Sequence, residues 1–452
     1  MPSSIRKALD ELPITLDDTY ERILQGIPKQ KRQHAHHLFQ CMVVAIRPLR
    51  VEELGEIFAI EFSPNATSKL VEGWRPEHPE EAVLSTCSTL ITVVDDQGSR
   101  IVQFSHFSVK EYLTSDRLQA SEIGSIRGHY IPLEPAHTIL ARACLTVLLQ
   151  LDESVDKNRL RTFPLAFYAA QHWVDHAKFR DVESQILDSM DDLFDLKKPY
   201  LAAWTWIGWE PKRFMDDLGE RPSSPEATPL YYAASCGLSR LTERLIAAHA
   251  EDVNAKHVTG WIPLHAASCH GHVHIARLLL DHGADINRRD RVERSALYRA
   301  YSKNHIEVIR LLLERGADPS APGSPFGTLL HEASYDGQAD VAALLLQHKA
   351  DLNARGSGHR TPLDIASYYG HLGVVRLLLE HGAEMNIRPV WDQTPLQAAS
   401  KRGHVEVVRQ LLAHGADMEI KNNSGQTAFQ VATALGHTRT AQLLLEHGAT
   451  RE

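Results

Sequence analysis

Residues 104–113 read FSHFSVKEYL and gather Ser105, His106, Ser108, Lys110 and Glu111 in one short stretch. A serine beside an imidazole is the pair from which a nucleophile and its general base are built, and a neighbouring lysine or carboxylate could carry a proton. The same residues also spell a helix start. Ser108 followed three residues later by Glu111 fits a capping box, with Phe107 and Tyr112 as the hydrophobic staple around it. That reading uses both aromatics, the serine and the glutamate, and leaves His106 and Lys110 open to a catalytic role. A second group, His265, His270, His272 and His274, has the residue type and close spacing that zinc accepts. HEASY at 331–335 begins like a metalloprotease HExxH motif but lacks its second histidine. His172 and His176 lie four apart on one helical face beside Trp173, and only Asp175 is near, at a different angle, so a packed Trp–His surface is expected rather than a metal site. Cys41, Cys87, Cys144, Cys236 and Cys269 contain no CxxC pair, which fits free buried thiols in a reducing compartment better than a disulfide frame.

The composition allows a scaffold large enough to position such groups. A chain of 452 residues, 43% hydrophobic and 23% charged, implies two or three globular domains. Its formal charge of −9 gives no overall attraction to nucleic acid or to an anionic membrane. The start, MPSSIRKALDELP, has no apolar leader core, and the longest apolar run, residues 143–151, is far short of the roughly 20 residues a bilayer requires. A soluble cytoplasmic chain is expected, with no cofactor and no metal, and the sequons at Asn65 and Asn422 are read as chance.

The second half of the chain repeats itself. TPLYYAASCG at 228 recurs as IPLHAASCHG at 262, SALYRAYSKN at 295, TLLHEASYDG at 328, TPLDIASYYG at 361, TPLQAASKRG at 394 and TAFQVATALG at 427, a step of 34 residues and then five of 33. Each block runs into a second apolar one, such as HVHIARLLLDHGADIN at 272–287. Thr228, Thr361 and Thr394 should cap a first helix whose opening turn holds Pro229, Pro362 and Pro395. Leucine triplets such as Leu311–Leu313 should bury one face of a second helix, ended in a left-handed turn by Gly283, Gly316, Gly382, Gly415 and Gly448. Lys349 stands where that glycine is expected, at a cost of about 1 kcal/mol. Ala266, Ala267, Ala366, Ala398 and Ala399 are small enough for helix pairs to stack closely. Thr438, Arg439, Thr440 and Gln442 give the last second helix a polar outer face, as the end of an array needs.

This period and these blocks resemble the ankyrin repeat, with seven units over 225–452. The resemblance implies that His265 and His331, fourth in the capping tetrapeptide, hydrogen-bond the adjacent unit, which accounts for much of the histidine richness without zinc. It also implies that binding lies on the concave face, lined by hairpin tips and by the two residues before the inter-helix glycine. Those positions hold Trp261, Arg289, Arg291, Arg294, Arg360, Arg388 and Trp391 at the tips, and Lys303, Tyr335, Tyr368, Tyr369, Lys401 and Arg402 on the helices. Such residues either anchor a protein interface or are ordinary solvated surface. If they form an interface, the partner surface should be acidic.

In the first half, apolar spacing predicts helices over 14–26, 29–46, 51–60 and 80–90, an extended RPLR at 47–50, and a hairpin over 91–104 turning at Asp96-Gln97-Gly98-Ser99. Helices followed by a two-stranded wing suggest a winged helix over 1–120, and a helical connector over 121–224 leads to the array, for a mainly α chain. A DNA-reading role needs cations on the helix before the wing, yet that helix offers Glu80 and Glu81 and no lysine or arginine. The segments ALDELPITLDDTYERIL (8–24), RPLRVEEL (47–54), CSTLITVVD (87–95), FSHFSVKEYLTSDR (104–117) and FPLAFYAAQHWVDHAKF (163–179) resemble, in their order, the region after the NTPase of fungal NACHT/STAND NLR-like proteins. That resemblance implies a sensor or scaffold in signalling or self/non-self recognition. It places the nucleotide on an upstream P-loop, and no GxxxxGK[ST] occurs here, so ATP hydrolysis is not expected. The chain then reads as a truncated form or a stand-alone fragment that acts with full-length NACHT-containing relatives. The expected function is non-catalytic protein recognition; a winged-helix transcription regulator and an enzyme using the N-terminal half are the alternatives.

Overall fold

The computed structural model describes residues 15–63, 67–96, 98–121, 123–209, 218–324, 327–387 and 393–450. The chain divides into two compact units, Met1–Pro229 and Leu230–Glu452.

In the first unit, α1 (Leu16–Gln25) starts at Thr15, whose hydroxyl accepts from the Asp18 amide while the Asp18 carboxylate accepts from the Thr15 amide. α2 (Arg32–Val44), α3 (Val51–Phe58) and α4 (Pro79–Cys87) follow, with a short hairpin of β1 (Ile60–Glu61) and β2 (Lys69–Leu70) between the last two. The wing is β3 (Ile91–Asp96) and β4 (Ser99–Phe104), paired from Ile91↔Phe104 to Asp96↔Ser99, the register its turn predicts. The extended RPLR joins it: Arg50 bridges Ile101, and the Val102 amide donates to the Leu49 carbonyl at 2.9 Å.

α5 (Phe107–Leu113) corrects the predicted capping box. Its N-cap is His106, whose ring accepts from the Ser108 amide, so Ser108 already lies inside the helix. Phe107 is 70% exposed and forms no staple. Tyr112 is buried as expected, tilted against Tyr20 with 5.4 Å between ring centroids.

α6 (Leu133–Leu148), α7 (Ala166–Ala177), α8 (Leu187–Phe194) and α9 (Tyr200–Gly208) surround an aromatic core. Trp204 lies 5.5 Å from both Trp173 and Phe194, and its indole donates to the Ala170 carbonyl at 3.0 Å. The approach of α9 to α7 requires glycine at 208, where a Cβ would sit 2.4 Å from the Ala170 oxygen. Buried polar bonds tie these helices to the preceding ones. Glu56 accepts from the Leu165 amide at 2.7 Å and pairs with Arg75, and the Tyr168 hydroxyl accepts from the Ile46 amide at 3.1 Å.

The second unit contains seven helix pairs among the described residues. First helices pack on first helices and second on second, so a leucine-rich core runs through the whole unit. Thr361 and Thr394 cap as predicted, whereas the Thr228 hydroxyl is buried without a hydrogen-bond partner among the described residues. Lys349 does adopt the left-handed turn, φ +65, in place of glycine. Thr440, expected on the polar outer face, is instead buried, while Thr438, Arg439 and Gln442 are exposed.

Two sets of side chains stitch neighbouring repeats together. His265 and His331 reach the Arg294 and Arg360 carbonyls at 3.2 and 3.1 Å, and Gln397 serves the same purpose by donating to the Gln426 carbonyl at 3.2 Å. The histidine after the inter-helix glycine reaches back instead. His272, His305, His371, His404 and His437 bond the carbonyls of Ser235, Cys269, Tyr335, Tyr368 and Lys401, each at 2.9–3.1 Å. Each of these rings lies over the glycine of the previous repeat, leaving no room there for a Cβ. The junction of repeats three and four departs from this pattern: Asn304 replaces the glycine, Gln338 replaces the histidine, and the Tyr301 hydroxyl donates to Asp336 at 2.6 Å instead.

Candidate protein-interaction surface

The repeat register carries the predicted surface residues onto the hairpin tips and the C-terminal ends of first helices. They separate into two groups. At repeats two and three, Trp261 lies 4.4 Å below the guanidinium of Arg299, and Arg294 lies 4.8 Å over Tyr298. Arg299 escapes a reading of the sequence because it is fifth in its block, not next to the inter-helix turn; its role depends on a tryptophan one repeat away. Two of its cations are paired: Arg299 is bound by the carboxylate of buried Asp290, and exposed Arg289 faces Glu293 at 3.6 Å. Burial opposes ionisation of Asp290, but Arg299 and two backbone amides hold its carboxyl below the usual range. Arg291 and Lys303 are exposed nearby.

At repeats four to six, Tyr335 and Tyr369 are 36% and 40% exposed and meet edge-to-face at 4.7 Å. Tyr369 also meets Tyr368 in a T-shaped contact at 5.0 Å. The Tyr368 ring carries two cations, Arg360 at 4.9 Å and Arg402 at 4.3 Å, and Arg402 also donates to the Tyr368 hydroxyl. Lys401 is exposed beside Arg402. Among the described residues no carboxylate pairs with Arg360, Lys401 or Arg402. Arg388 and Trp391 lie outside the described residues. The His404 and His437 stitches hold the carbonyls of Tyr368 and Lys401, so the packing between repeats fixes the backbone under this group.

The other chemical candidates are occupied by structural bonds. The His106 ring is 2.6 Å from the Ser108 hydroxyl, which is 2.6 Å from the Tyr20 hydroxyl, tying α5 to α1; Ser105 donates to the Thr89 carbonyl. His265, His270 and His272 bond the carbonyls of Arg294, Ala266 and Ser235, and His274 faces Glu243. His176 is fully buried between His137 and the Tyr168 hydroxyl, 2.9 Å from each, and burial pulls its pKa down to about 3. His172 faces Asp175 instead. Burial pushes the Cys41 thiol up to about 12, leaving it protonated and unreactive. On α4, Glu80 pairs with Arg100 of the wing. No described helix is long and apolar enough to cross a membrane.

Residues 230–323, 322–389 and 388–451 match ankyrin repeats, and residues 20–123 match the winged helix domain of GPI inositol-deacylase. A Monascus ruber protein, "azaphilone pigments biosynthesis cluster protein L", is 31% identical over 281 residues, which are 58% of this chain and 58% of that protein. The chain thus covers less than two thirds of that relative. Among solved structures, the human ASB11 ankyrin repeat domain is 29% identical with a TM-score of 0.42, covering 50% of this chain and all of that one. The ankyrin repeat domain of Bcl-3, a member of the IkappaB family, is 30% identical with a TM-score of 0.45, covering 48% of this chain and 98% of that one.

Proposed function

We propose that this chain, with its ankyrin repeats and its winged helix domain of GPI inositol-deacylase type, is a non-catalytic recognition module. It holds a protein partner against its first helices and hairpin tips, the concave side of a solenoid. The observation that carries this reading is the group at repeats four to six, where exposed Tyr335 and Tyr369 adjoin a tyrosine flanked by two arginines that form no ion pair with a described carboxylate. Tyrosine and arginine anchor protein interfaces because they bring contact area and a polar handle together. Unneutralised cations call for an acidic partner surface.

The N-terminal unit supports a structural role better than a catalytic or DNA-reading one. His106 caps a helix, and the helix before the wing presents acids where phosphate contacts need cations. By its resemblance to NACHT/STAND NLR-like proteins, the chain serves as a cytoplasmic sensor or scaffold part of such a signalling system, alongside NACHT-containing relatives. The match to the Monascus ruber protein favours a second setting, partner recognition in azaphilone pigment biosynthesis.

The test is capture of partners from extracts of the source cell with the full chain, compared across three forms. A Tyr335→Ala/Tyr369→Ala variant should lose the partner that wild type retains, and Arg376→Gln, on an exposed second-helix position of repeat five, should keep it. Equal capture by all three forms would place binding elsewhere.

A further inference from the structure

The cations along the face of first helices are not equivalent. At repeats two and three, Arg299 and Arg289 are paired with Asp290 and Glu293. At repeats five and six, Arg360 and Arg402 both lie against the single ring of Tyr368, and the described acids nearby are otherwise engaged. Asp364 is buried, bonded to Thr361 and influenced by Arg360 only through space, without an ion pair, and Asp336 accepts from Tyr301. We infer that Tyr368 is the floor of an oxyanion clamp, with Arg360 and Arg402 as its jaws, whose ligand is a phosphomonoester on a side chain of the partner protein.

This inference rests on the reading of the face as a protein-binding surface and adds the chemistry that the surface selects. A single carboxylate has one charge and two oxygens, and one guanidinium fork fills it. A phosphomonoester brings a charge of about −1.5 to −2 and three acceptor oxygens, so it takes a fork from each arginine at once. The two guanidinium carbons lie 4.9 and 4.3 Å from the centre of one ring, and the clamp closes where a tetrahedral anion at the ring's rim bridges the two forks. The ring stacks against both guanidiniums and its hydroxyl holds Arg402, which lowers the side-chain entropy lost on binding. Lys401, next to Arg402 and exposed, adds to the local positive charge. Beside the clamp, the exposed edges of Tyr369 and Tyr335 form an aromatic wall for the residue next to the phosphorylated one. No bond is made or broken; the clamp only binds.

The experiment uses the full chain and fluorescent degenerate peptides with a fixed central phosphoserine, phosphotyrosine, glutamate or serine, read by anisotropy. A phosphopeptide should bind at least about tenfold more tightly than the glutamate peptide, and Arg360→Gln and Arg402→Gln should each lose about tenfold. The melting temperature should change little, since Arg402 is exposed, Arg360 is half-buried and neither forms an ion pair with a described residue. Arg376→Gln should bind like wild type. The arm that binds more tightly tells phosphoserine from phosphotyrosine. Equal affinity for phosphorylated and glutamate peptides, retention by both arginine variants, or no binding by any peptide would each overturn the clamp. Phosphatase treatment of the extract in the capture experiment separates the two claims. Capture that survives phosphatase but not Tyr335→Ala/Tyr369→Ala refutes the clamp and leaves the face as the binding surface. Capture indifferent to both treatments refutes both.

Discussion

Gly337 tests the stitch between repeats most sharply. It adopts φ +73, and a Cβ there would lie 2.5 Å from Nδ1 of His371, whose Nε2 meets the Tyr335 carbonyl at 2.9 Å. Gly337→Ala should therefore cost about 1 kcal/mol for the left-handed backbone, and about 1 kcal/mol more because the imidazole must swing away and release its hydrogen bond. Gly283 is the control: its φ is +85, but nothing lies within 4 Å of its Cβ position, so Gly283→Ala should cost only the backbone term, about 1 kcal/mol. In a His371→Ala background, the cost of Gly337→Ala should fall to the same value, a coupling of about 1 kcal/mol between residues one repeat apart. Because an array unfolds by neighbouring units rather than all at once, the measurement should be hydrogen exchange of the peptides 329–347 and 362–380 in low urea, which reads local opening free energies. Equal costs at 337 and 283, or the same cost with and without His371, would refute the stitch.

Three further outcomes follow from the same ladders. At the junction that lacks the stitch, Gln338→His alone should bring no gain because Asn304 carries a Cβ under the incoming ring, whereas Asn304→Gly/Gln338→His should raise local stability by about 1 kcal/mol in the same exchange measurement. His265 is fully buried and its pKa is lowered by burial to about 4. The unfolded imidazole, near 6.5, binds the proton more readily, so its contribution is complete above about pH 6.5 and falls as pH drops toward 4, by roughly 2 kcal/mol at pH 5. His265→Gln installs the side chain that repeat six already carries at this position as Gln397. It should be near neutral at pH 8 and more stable than wild type at pH 5 in urea denaturation; the opposite order would show that imidazole is not the acid-sensitive group. Asp364 occupies the same position in repeat five, where burial raises its pKa to about 6 and its Oδ1 has no partner among the described residues. Its folded value exceeds the unfolded one, so stability is lost as pH rises through 6. Asp364→Gln should stabilise the array by roughly 1–3 kcal/mol at pH 8 and less at pH 5, as checked by urea midpoints at both pH values.

Much of this architecture is legible in the sequence because it repeats. The 33-residue step fixes which residues end each first helix, so Tyr335, Tyr368, Tyr369 and Arg402 are brought to one face by register alone. Alternation around Asp96–Ser99 gives the wing its pairing to the residue. What escapes depends on contacts between repeats or on unusual caps. Arg299 stacks on a tryptophan of the previous repeat and is paired with Asp290, contacts that no spacing within one repeat announces. Ser108 looks like the usual capping residue, but the Ser108 amide is accepted by the ring of His106, a residue type outside the common cap set. Thr440 looks polar enough for an outer face but is buried, its hydroxyl without a hydrogen-bond partner among the described residues.

Which face of the array meets a partner is decided directly by site-specific photo-crosslinking. A benzophenone amino acid placed at Tyr369 and, separately, at Arg376 samples an exposed position on the first and second helices of the same repeat. Irradiation in the source-cell extract should give a discrete crosslinked protein from position 369, suppressed by Arg360→Gln/Arg402→Gln, and none from position 376. A crosslink from position 376 with none from position 369 would place the partner on the second helices instead.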